Sequence, residues 1–117
     1  MDWLDPGIRS RHYVRVATAW NYWFDLASAR LTHYQERFGD LFCIIIPGSL
    51  TEPDCYVLPY ALMKVILRQV PLDHRGRWMG TIVKHELRLP ASGLVLPVRT
   101  FHNALELLAW HEVRPAA

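Results

Sequence analysis

The stretch that decides the fold is residues 41–60, LFCIIIPGSLTEPDCYVLPY, in which two apolar runs flank a loop. The first run, 41–46, contains no polar residue. A short unbroken run rich in β-branched and aromatic side chains predicts a strand buried on both faces. The second run, 55–58, is equally apolar. Because the loop between them is rich in Pro, Gly, Ser, Thr and Asp, we predict a β-hairpin whose faces the rest of the chain covers.

Both cysteines of the chain, Cys43 and Cys55, lie within these predicted strands. Free cysteine is commonly buried as a small hydrophobic residue. A hairpin loop centred on Leu50 pairs Cys43 with Val57. The same register pairs Cys55 with Ile45, so the two thiols are offset from each other. We therefore expect two reduced, buried cysteines rather than a disulfide.

The composition is that of a globular protein. The 117 residues are 51% hydrophobic and 21% charged, which supports one packed core and excludes a disordered chain. No stretch approaches the roughly 18 consecutive apolar residues of a membrane-spanning helix. The N-terminal residues lack the apolar core of a secretory signal. We therefore expect a single cytoplasmic domain over residues 1–117, with no membrane partner.

Sequence periodicity places further elements before the hairpin. Alternation over residues 12–18 predicts a strand, and apolar residues at three- and four-residue spacing predict a helix over 26–38. Gly39 directly after this helix predicts its C-terminal end, because Gly accepts the left-handed conformation that closes many helices. Residues 20–25 contain four aromatics and are compatible with either helix or strand.

The elements after the hairpin complete the predicted architecture. They are a helix over 60–69, a strand bent at a glycine over 77–89, an edge strand over 94–98 and a last helix over 101–110. Together these elements predict an α+β fold, α/β-like, with a central mixed β-sheet, a two-strand hairpin core and about three flanking helices. Residues 1–11 are predicted as a flexible basic arm and residues 112–117 as a loose tail.

The arginines indicate phosphate binding. Eleven of the thirteen basic residues are Arg, whose planar guanidinium binds phosphate or carboxylate in a bidentate manner. The formal charge of +2 is only mildly basic, but two short clusters concentrate the positive charge. We predict that the arginines of these clusters contact nucleic acid: Arg9, Arg11, Arg15, Arg75 and Arg77. An Arg-rich, Lys-poor composition also follows from a GC-rich genome, and that alternative stays open.

The sequence contains no complete catalytic motif. Its six histidines and two cysteines lack the spacing of a zinc site. A Gly-rich phosphate loop, a GxSxG elbow and an HExxH helix are also missing. His102 and Glu106 are four residues apart in the last predicted helix and would share one face, a pairing that ordinary helices produce by chance. We therefore expect no bound metal and no cofactor.

The order of predicted elements and the local sequence motifs of residues 12–69 nevertheless resemble the second half of PD-(D/E)xK nucleases of the restriction-endonuclease-like superfamily. The succession is HYVRVATA, an aromatic segment with WFDL, a helix, FGDLFCIIIP, a loop, EPDCYVLPY and another helix. In that family, the strand with the ExK triplet precedes a W-x-F-x-L segment, a helix, and strands of the DxFVFV and PDFYVIP kind. The resemblance implies a mixed sheet covered by helices, and a role in prokaryotic DNA processing or defence.

The catalytic triplet of that family is not matched. Its expected position holds the sequence YVR at 13–15, and only twelve residues come before it, so we expect the upstream acidic strand to be missing. A nuclease of this kind needs carboxylates that converge on Mg²⁺ and a cation beside the attacking water. The residues that could serve this role in a different arrangement are Asp54, Glu86, Arg88 and Glu36.

The leading prediction from the sequence is a non-catalytic nucleic-acid-binding or accessory domain that resembles a degenerate nuclease core. The first alternative is a metal-dependent DNA nuclease that uses Mg²⁺. The second alternative is a protein-interaction or dimerisation module, because fourteen aromatic residues are many for one small core to bury. A homo-oligomer or another protein partner is therefore also compatible with the sequence.

Overall fold

The computed structural model describes residues 3–18 and 21–112. In chain order the strands are Tyr13–Val14 (β1), Trp23–Ala27 (β2), Cys43–Pro47 (β3), Cys55–Pro59 (β4), Arg77–Val83 (β5), Glu86–Leu89 (β6) and Leu94–Pro97 (β7). The α-helices are Ile8–Arg11 (α1), Ser28–Phe38 (α2), Tyr60–Leu67 (α3) and Glu106–Glu112 (α4). These elements confirm the predicted α+β class. No helix within the described ranges is both long enough and apolar enough to cross a membrane.

The predicted hairpin, β3 and β4, forms the centre of a three-stranded mixed sheet. β1 pairs with β3 in parallel, and β3 pairs with β4 antiparallel. Ile44 and Leu58 on one face join the main core. Ile45 and Val57 on the other face join a second cluster, which includes Leu108 of α4. The hairpin is therefore buried on both faces, as its unbroken apolar runs predict.

The predicted register of this hairpin is wrong by two residues. Val57 lies opposite Ile45, and Cys55 lies opposite Pro47, so the loop centres on Thr51. The Gly48 N–H donates to the carbonyl of Asp54 and closes this shifted loop.

The cysteine prediction is unaffected by the shift, because Cys43 and Cys55 are both buried and neither forms a disulfide. Burial is the main reason that the pKa of Cys43 rises to about 12 and that of Cys55 to about 11.

A second, four-stranded antiparallel sheet packs beside the first, in the order β2-β5-β6-β7. The single strand predicted over 77–89 is wrong, because the chain reverses at Lys84 and His85. These two residues have φ of 52° and 61° and form the two-residue turn of a hairpin with positive φ at both central positions. The prediction of an edge strand near 94–98 is confirmed, since β7 pairs with β6 alone among the described strands.

The ambiguous segment before the first long helix is a strand over most of its described part. β2 covers Trp23–Ala27, so α2 begins at Ser28 rather than at residue 26. Gly39 ends α2 as predicted, with φ of 63° and its N–H bonded to the Gln35 carbonyl. The strand predicted over 12–18 is shorter, although the N–H groups of Arg15 and Ala17 still donate to carbonyls of β3.

The end of the chain also differs from the prediction of a helix over 101–110. A short 3-10 helix covers Arg99–Phe101, and α4 begins only at Glu106. His102 therefore does not share a helix face with Glu106, and it forms a β-bridge with Tyr56 instead.

The predictions for the two termini concern mobility and stay predictions. Within the predicted basic arm, Leu4 is buried and α1 is helical. The predicted loose tail, apart from Glu112, lies outside the described residues.

Candidate nucleic-acid interface and histidine cluster

Arginines from several elements surround one surface depression, which we call the arginine groove. It consists of two adjoining cavities of about 360 Å³ and about 300 Å³, which share Arg9 and Arg30. The arginines that line the groove come from α1, the segment after β1, α2 and β5, and they are Arg9, Arg15, Arg30, Arg37 and Arg77. The fold thus gathers cations that lie far apart in the sequence.

One carboxylate beneath the groove orients two of these arginines. Asp25 on β2 is only 8% exposed. It accepts hydrogen bonds from Arg15 Nε at 2.7 Å and from Arg77 Nη1 at 2.6 Å. Burial alone would raise the pKa of Asp25, but these hydrogen bonds outweigh it and lower the pKa below the ordinary 3.8. The remaining N–H groups of both guanidinium groups can still face an anionic ligand.

Two buried tyrosines line the groove beside the arginines. The Tyr13 hydroxyl accepts a hydrogen bond from the Ala27 N–H at 3.2 Å and so ties the two sheets together. The Tyr13 ring stacks on Tyr34 with 5.8 Å between centroids, and the Tyr34 hydroxyl donates to the Arg9 carbonyl at 2.7 Å. The Arg30 guanidinium lies 6.0 Å from the centre of the Tyr13 ring. The backbone of Arg9 and the guanidinium group of Arg30 therefore lie against buried tyrosines.

The structure brings together three of the five predicted phosphate-contacting arginines, Arg9, Arg15 and Arg77. Arg11 instead lies over the Phe38 ring, 4.2 Å from its centre. Arg75 is exposed in the turn before β5, outside the cavities of the groove.

Sequence reasoning missed two arginines of the groove, Arg30 and Arg37. They are seven residues apart on α2, with His33 between them on the same face, and this helical spacing is the signal that identifies them.

An apolar cleft adjoins the arginine groove. It has a volume of about 190 Å³, and Arg77 lines both the cleft and the groove. Its walls include Trp23, which is 38% exposed, and Met79, which is 46% exposed. We call it the tryptophan cleft. An aromatic side chain beside a row of cations is a combination that proteins use to bind single-stranded nucleic acids.

The residues proposed for a metal-dependent nuclease do not assemble into one metal site. Glu86 bonds to its own candidate partner Arg88 at 3.2 Å, while Asp54 bonds to His102, and Glu36 is exposed on α2. Within residues 3–18 and 21–109, no three carboxylate, imidazole or thiol side chains lie together in a way that could hold a metal ion.

Asp54 instead belongs to a group of titratable side chains that we call the histidine cluster: Tyr22, Asp54, Tyr56, His85, Arg99 and His102. His102 Nε2 donates to Asp54 Oδ1 at 2.9 Å. The Tyr56 hydroxyl and His85 Nδ1 are 2.7 Å apart. The two imidazole rings make an edge contact, with 5.0 Å between their centroids and 60° between their planes. The cluster therefore contains two imidazoles, each hydrogen-bonded to a different partner.

The sequence offers no local signal for this cluster. Tyr56 and His85 are 29 residues apart, and Asp54 and His102 are 48 residues apart. Only the turn between β5 and β6 and the segment after the 3-10 helix bring the two histidines to β4.

Comparison with protein-family models, with curated proteins and with solved structures gives no match. The resemblance to restriction-endonuclease-like domains therefore stays a prediction from the sequence.

Proposed function

We propose that this domain binds single-stranded nucleic acid, with phosphates in the arginine groove and a base in the tryptophan cleft. The observation that carries the proposal is the convergence of five arginines on one groove, with the buried Asp25 carboxylate beneath it paired to two of them. Guanidinium groups bind phosphate oxygens in a bidentate manner, and several of them together supply the counterion-release term of nucleic-acid affinity.

The tryptophan cleft favours a single strand over a duplex. In a duplex the bases are stacked on one another, whereas an unpaired base can stack on an exposed indole ring. Trp23 is exposed beside Met79, and Arg77 connects this cleft to the groove. A nucleotide whose phosphate is bound at Arg77 would therefore place its base, or the base of a neighbouring nucleotide, near the indole of Trp23.

The binding test uses a fluorescein-labelled single-stranded oligonucleotide of mixed sequence and the matching duplex, measured by anisotropy over a salt series. We expect tighter binding of the single strand, with an affinity that falls steeply as salt rises. Arg30→Ala should weaken binding and lower the slope of log K against log salt by about 0.7, the value for one phosphate contact on a single strand.

The matched control is Arg88→Ala, because Arg88 is exposed on β6, bonds to Glu86 and lies outside the groove. It should leave both affinity and slope unchanged. Lack of binding at low salt, or equal losses for the two variants, would overturn the proposal.

The other functions expected from the sequence stay predictions. Among the side chains that the structure describes, no group of carboxylates converges as an Mg²⁺-dependent nuclease requires.

A further inference from the structure

Each imidazole of the histidine cluster is oriented by one hydrogen bond and keeps its second ring nitrogen available to a ligand. One nitrogen of each ring is hydrogen-bonded, His102 Nε2 to Asp54 and His85 Nδ1 to Tyr56. Within the described part of the chain, His102 Nδ1 and His85 Nε2 have no hydrogen-bond partner. A ring oriented through one nitrogen can exchange a proton with a ligand through the other.

Backbone strain is concentrated at the same place. The described residues include four non-glycine positions with positive φ, and all four belong to the cluster or adjoin one of its histidines: Tyr22, Lys84, His85 and Asn103. Such conformations are uncommon for side chains larger than glycine and tend to occur at functional sites. The Asn103 side chain holds its own position, accepting from the Cys55 N–H at 2.9 Å and donating to the Pro53 carbonyl at 3.2 Å.

The surroundings of the two histidines differ in charge. Desolvation, followed by the charges of Arg99 and His102, lowers the pKa of His85 below its ordinary 6.5, although Asp54 acts in the opposite direction. His85 is therefore neutral at pH 7 and able to accept a proton. His102 Nε2 is hydrogen-bonded to the Asp54 carboxylate, whereas the partner of His85 is the neutral Tyr56 hydroxyl. Two titratable groups in contrasting environments are the arrangement of an acid and a base.

We propose that the histidine cluster cleaves single-stranded RNA by acid–base transesterification. His85 takes the proton of a ribose 2′-hydroxyl, whose oxygen forms a bond to the adjacent phosphorus as the bond from phosphorus to O5′ breaks. His102 gives its proton to the departing O5′. The products are a 2′,3′-cyclic phosphate and a 5′-hydroxyl, and exchange with water restores both histidines. This inference rests on the proposed function and goes beyond the non-catalytic domain expected from the sequence.

RNA is the substrate class that fits these groups, because it carries its own nucleophile. The reaction needs only a base, an acid and a cation near the phosphate, and Arg99 is close enough to influence His85 electrostatically. β5 begins with Arg77 at the groove and leads to the turn that carries His85. From residue 77 to residue 83, β5 extends over about 20 Å. The tryptophan cleft lies along this strand, so an RNA strand bound in the groove would follow β5 past the cleft to reach the cluster.

The test incubates the protein with 5′-labelled single-stranded RNA in EDTA, beside an all-deoxy strand of the same sequence. We expect the RNA to be cut, with 2′,3′-cyclic phosphate ends, and the deoxy strand to be bound but not cut. His85→Gln and His102→Gln should each lower the cleavage rate by about 100-fold or more, the size typical of lost general acid–base catalysis. Binding of the deoxy strand should change by less than threefold in both variants.

The matched control is His74→Gln, because His74 is an exposed histidine outside both the groove and the cluster. Prepared in parallel, it should cleave as fast as the unchanged protein, and the His85 and His102 variants should melt cooperatively. The pH profile of the unchanged protein should fall on the acid side as His85 becomes protonated.

Each remaining outcome separates the two proposals. Binding without cleavage would overturn the catalytic inference and leave the proposed function standing. Lack of binding to either strand would overturn the proposed function as well. Cleavage that persists in the His85 and His102 variants would also overturn the inference, because it would come from another site or another protein.

Discussion

The arginine groove and the histidine cluster lie toward opposite ends of β5 and hold charge in different ways. The groove carries guanidinium groups that stay protonated at every physiological pH, with Asp25 as a fixed counter-charge. The cluster carries two imidazoles, of which His85 has a pKa lowered by its neighbours, on a backbone strained at Tyr22 and His85. The groove is therefore suited to holding a phosphate chain, and the cluster to moving protons.

The largest expected effect removes the counter-charge of the groove. In Asp25→Asn, Arg15 and Arg77 lose their shared carboxylate, and two like charges face each other over a buried amide. We expect the free energy of unfolding at pH 7 to fall by about 2 kcal/mol, less than for a fully buried pair because both arginines are partly exposed. Urea denaturation measures this loss.

The pH dependence of the Asp25 contribution has a defined sign. Because the folded pKa of Asp25 lies below 3.8, its stabilisation is present above about pH 4 and is lost as pH falls through the folded value. Asp40→Asn is the control, since Asp40 pairs with Lys64 at a more exposed position, and its loss should stay below about 1 kcal/mol. Equal losses for the two variants would contradict the role given to Asp25.

The second expected effect disturbs the cluster and spares the groove. A methyl group added at Gly48 would overlap the Tyr22 ring, whose hydroxyl lies 3.2 Å from Asp54 Oδ1. We expect Gly48→Ala to cost about 1.5 kcal/mol through overpacking, and to slow RNA cleavage while leaving binding of the deoxy strand unchanged. Gly7→Ala is the control, because a methyl group there meets only Asp5 Oδ1 at 3.4 Å. Weaker binding of the deoxy strand in Gly48→Ala would show that the two regions are coupled.

The third expected effect lies between the two regions. Trp23→Ala removes the exposed indole, and we expect affinity for a single strand to fall by about 1 kcal/mol, or roughly fivefold, with little change for the duplex. Anisotropy measures both affinities. Trp23→Phe should recover most of the loss, and Val95→Ala, an exposed apolar residue of β7, should have no effect. An equal loss of duplex affinity would argue against base stacking in the cleft.

The smallest expected effect tests the titration of the cluster. NMR titration of the histidine ring protons should give His85 a pKa below 6.5, because desolvation, Arg99 and His102 disfavour its charged form. The unfolded chain then binds more protons as pH falls below about 6.5, so folding stability decreases toward acid. Between pH 7 and pH 5, the free energy of unfolding should fall less for His85→Gln than for the unchanged protein. For His74→Gln it should fall as much as for the unchanged protein. A pKa of His85 at or above 6.5 would contradict this difference in charge.

The parts of the fold that the sequence predicts are those governed by local patterns. The unbroken apolar runs identify β3 and β4, and the helical spacing identifies most of α2, with Gly39 at its end. The turn at Lys84 and His85 is missed because the sequence there lacks the Asn-Gly, Asp-Gly or Gly-Gly pair that marks a two-residue hairpin turn. The antiparallel pairing of β5 with β6, which closes at Val83 and Glu86, leaves only these two residues for the turn.

The candidate sites are less predictable because long-range contacts assemble them. Clustering along the chain identifies Arg9, Arg15 and Arg77 but misses Arg30, whose place in the groove follows from the packing of α2. Asp54 is identified for metal chemistry, whereas in the structure its partner is a histidine 48 residues away. Spacing in sequence carries no information about such a pair.

The two buried thiols allow local unfolding of the central hairpin to be measured by chemical labelling. Cys43 and Cys55 belong to the second hydrophobic cluster, which covers one face of the three-stranded sheet. Burial raises the pKa of their thiols to about 12 and about 11. Neither thiol therefore reacts with an alkylating reagent while the hairpin is closed. Reaction therefore requires local or global unfolding, and its rate reports the free energy of that opening residue by residue. Pulse labelling with and without a bound strand would show whether ligand binding at the surface stabilises the centre of the domain.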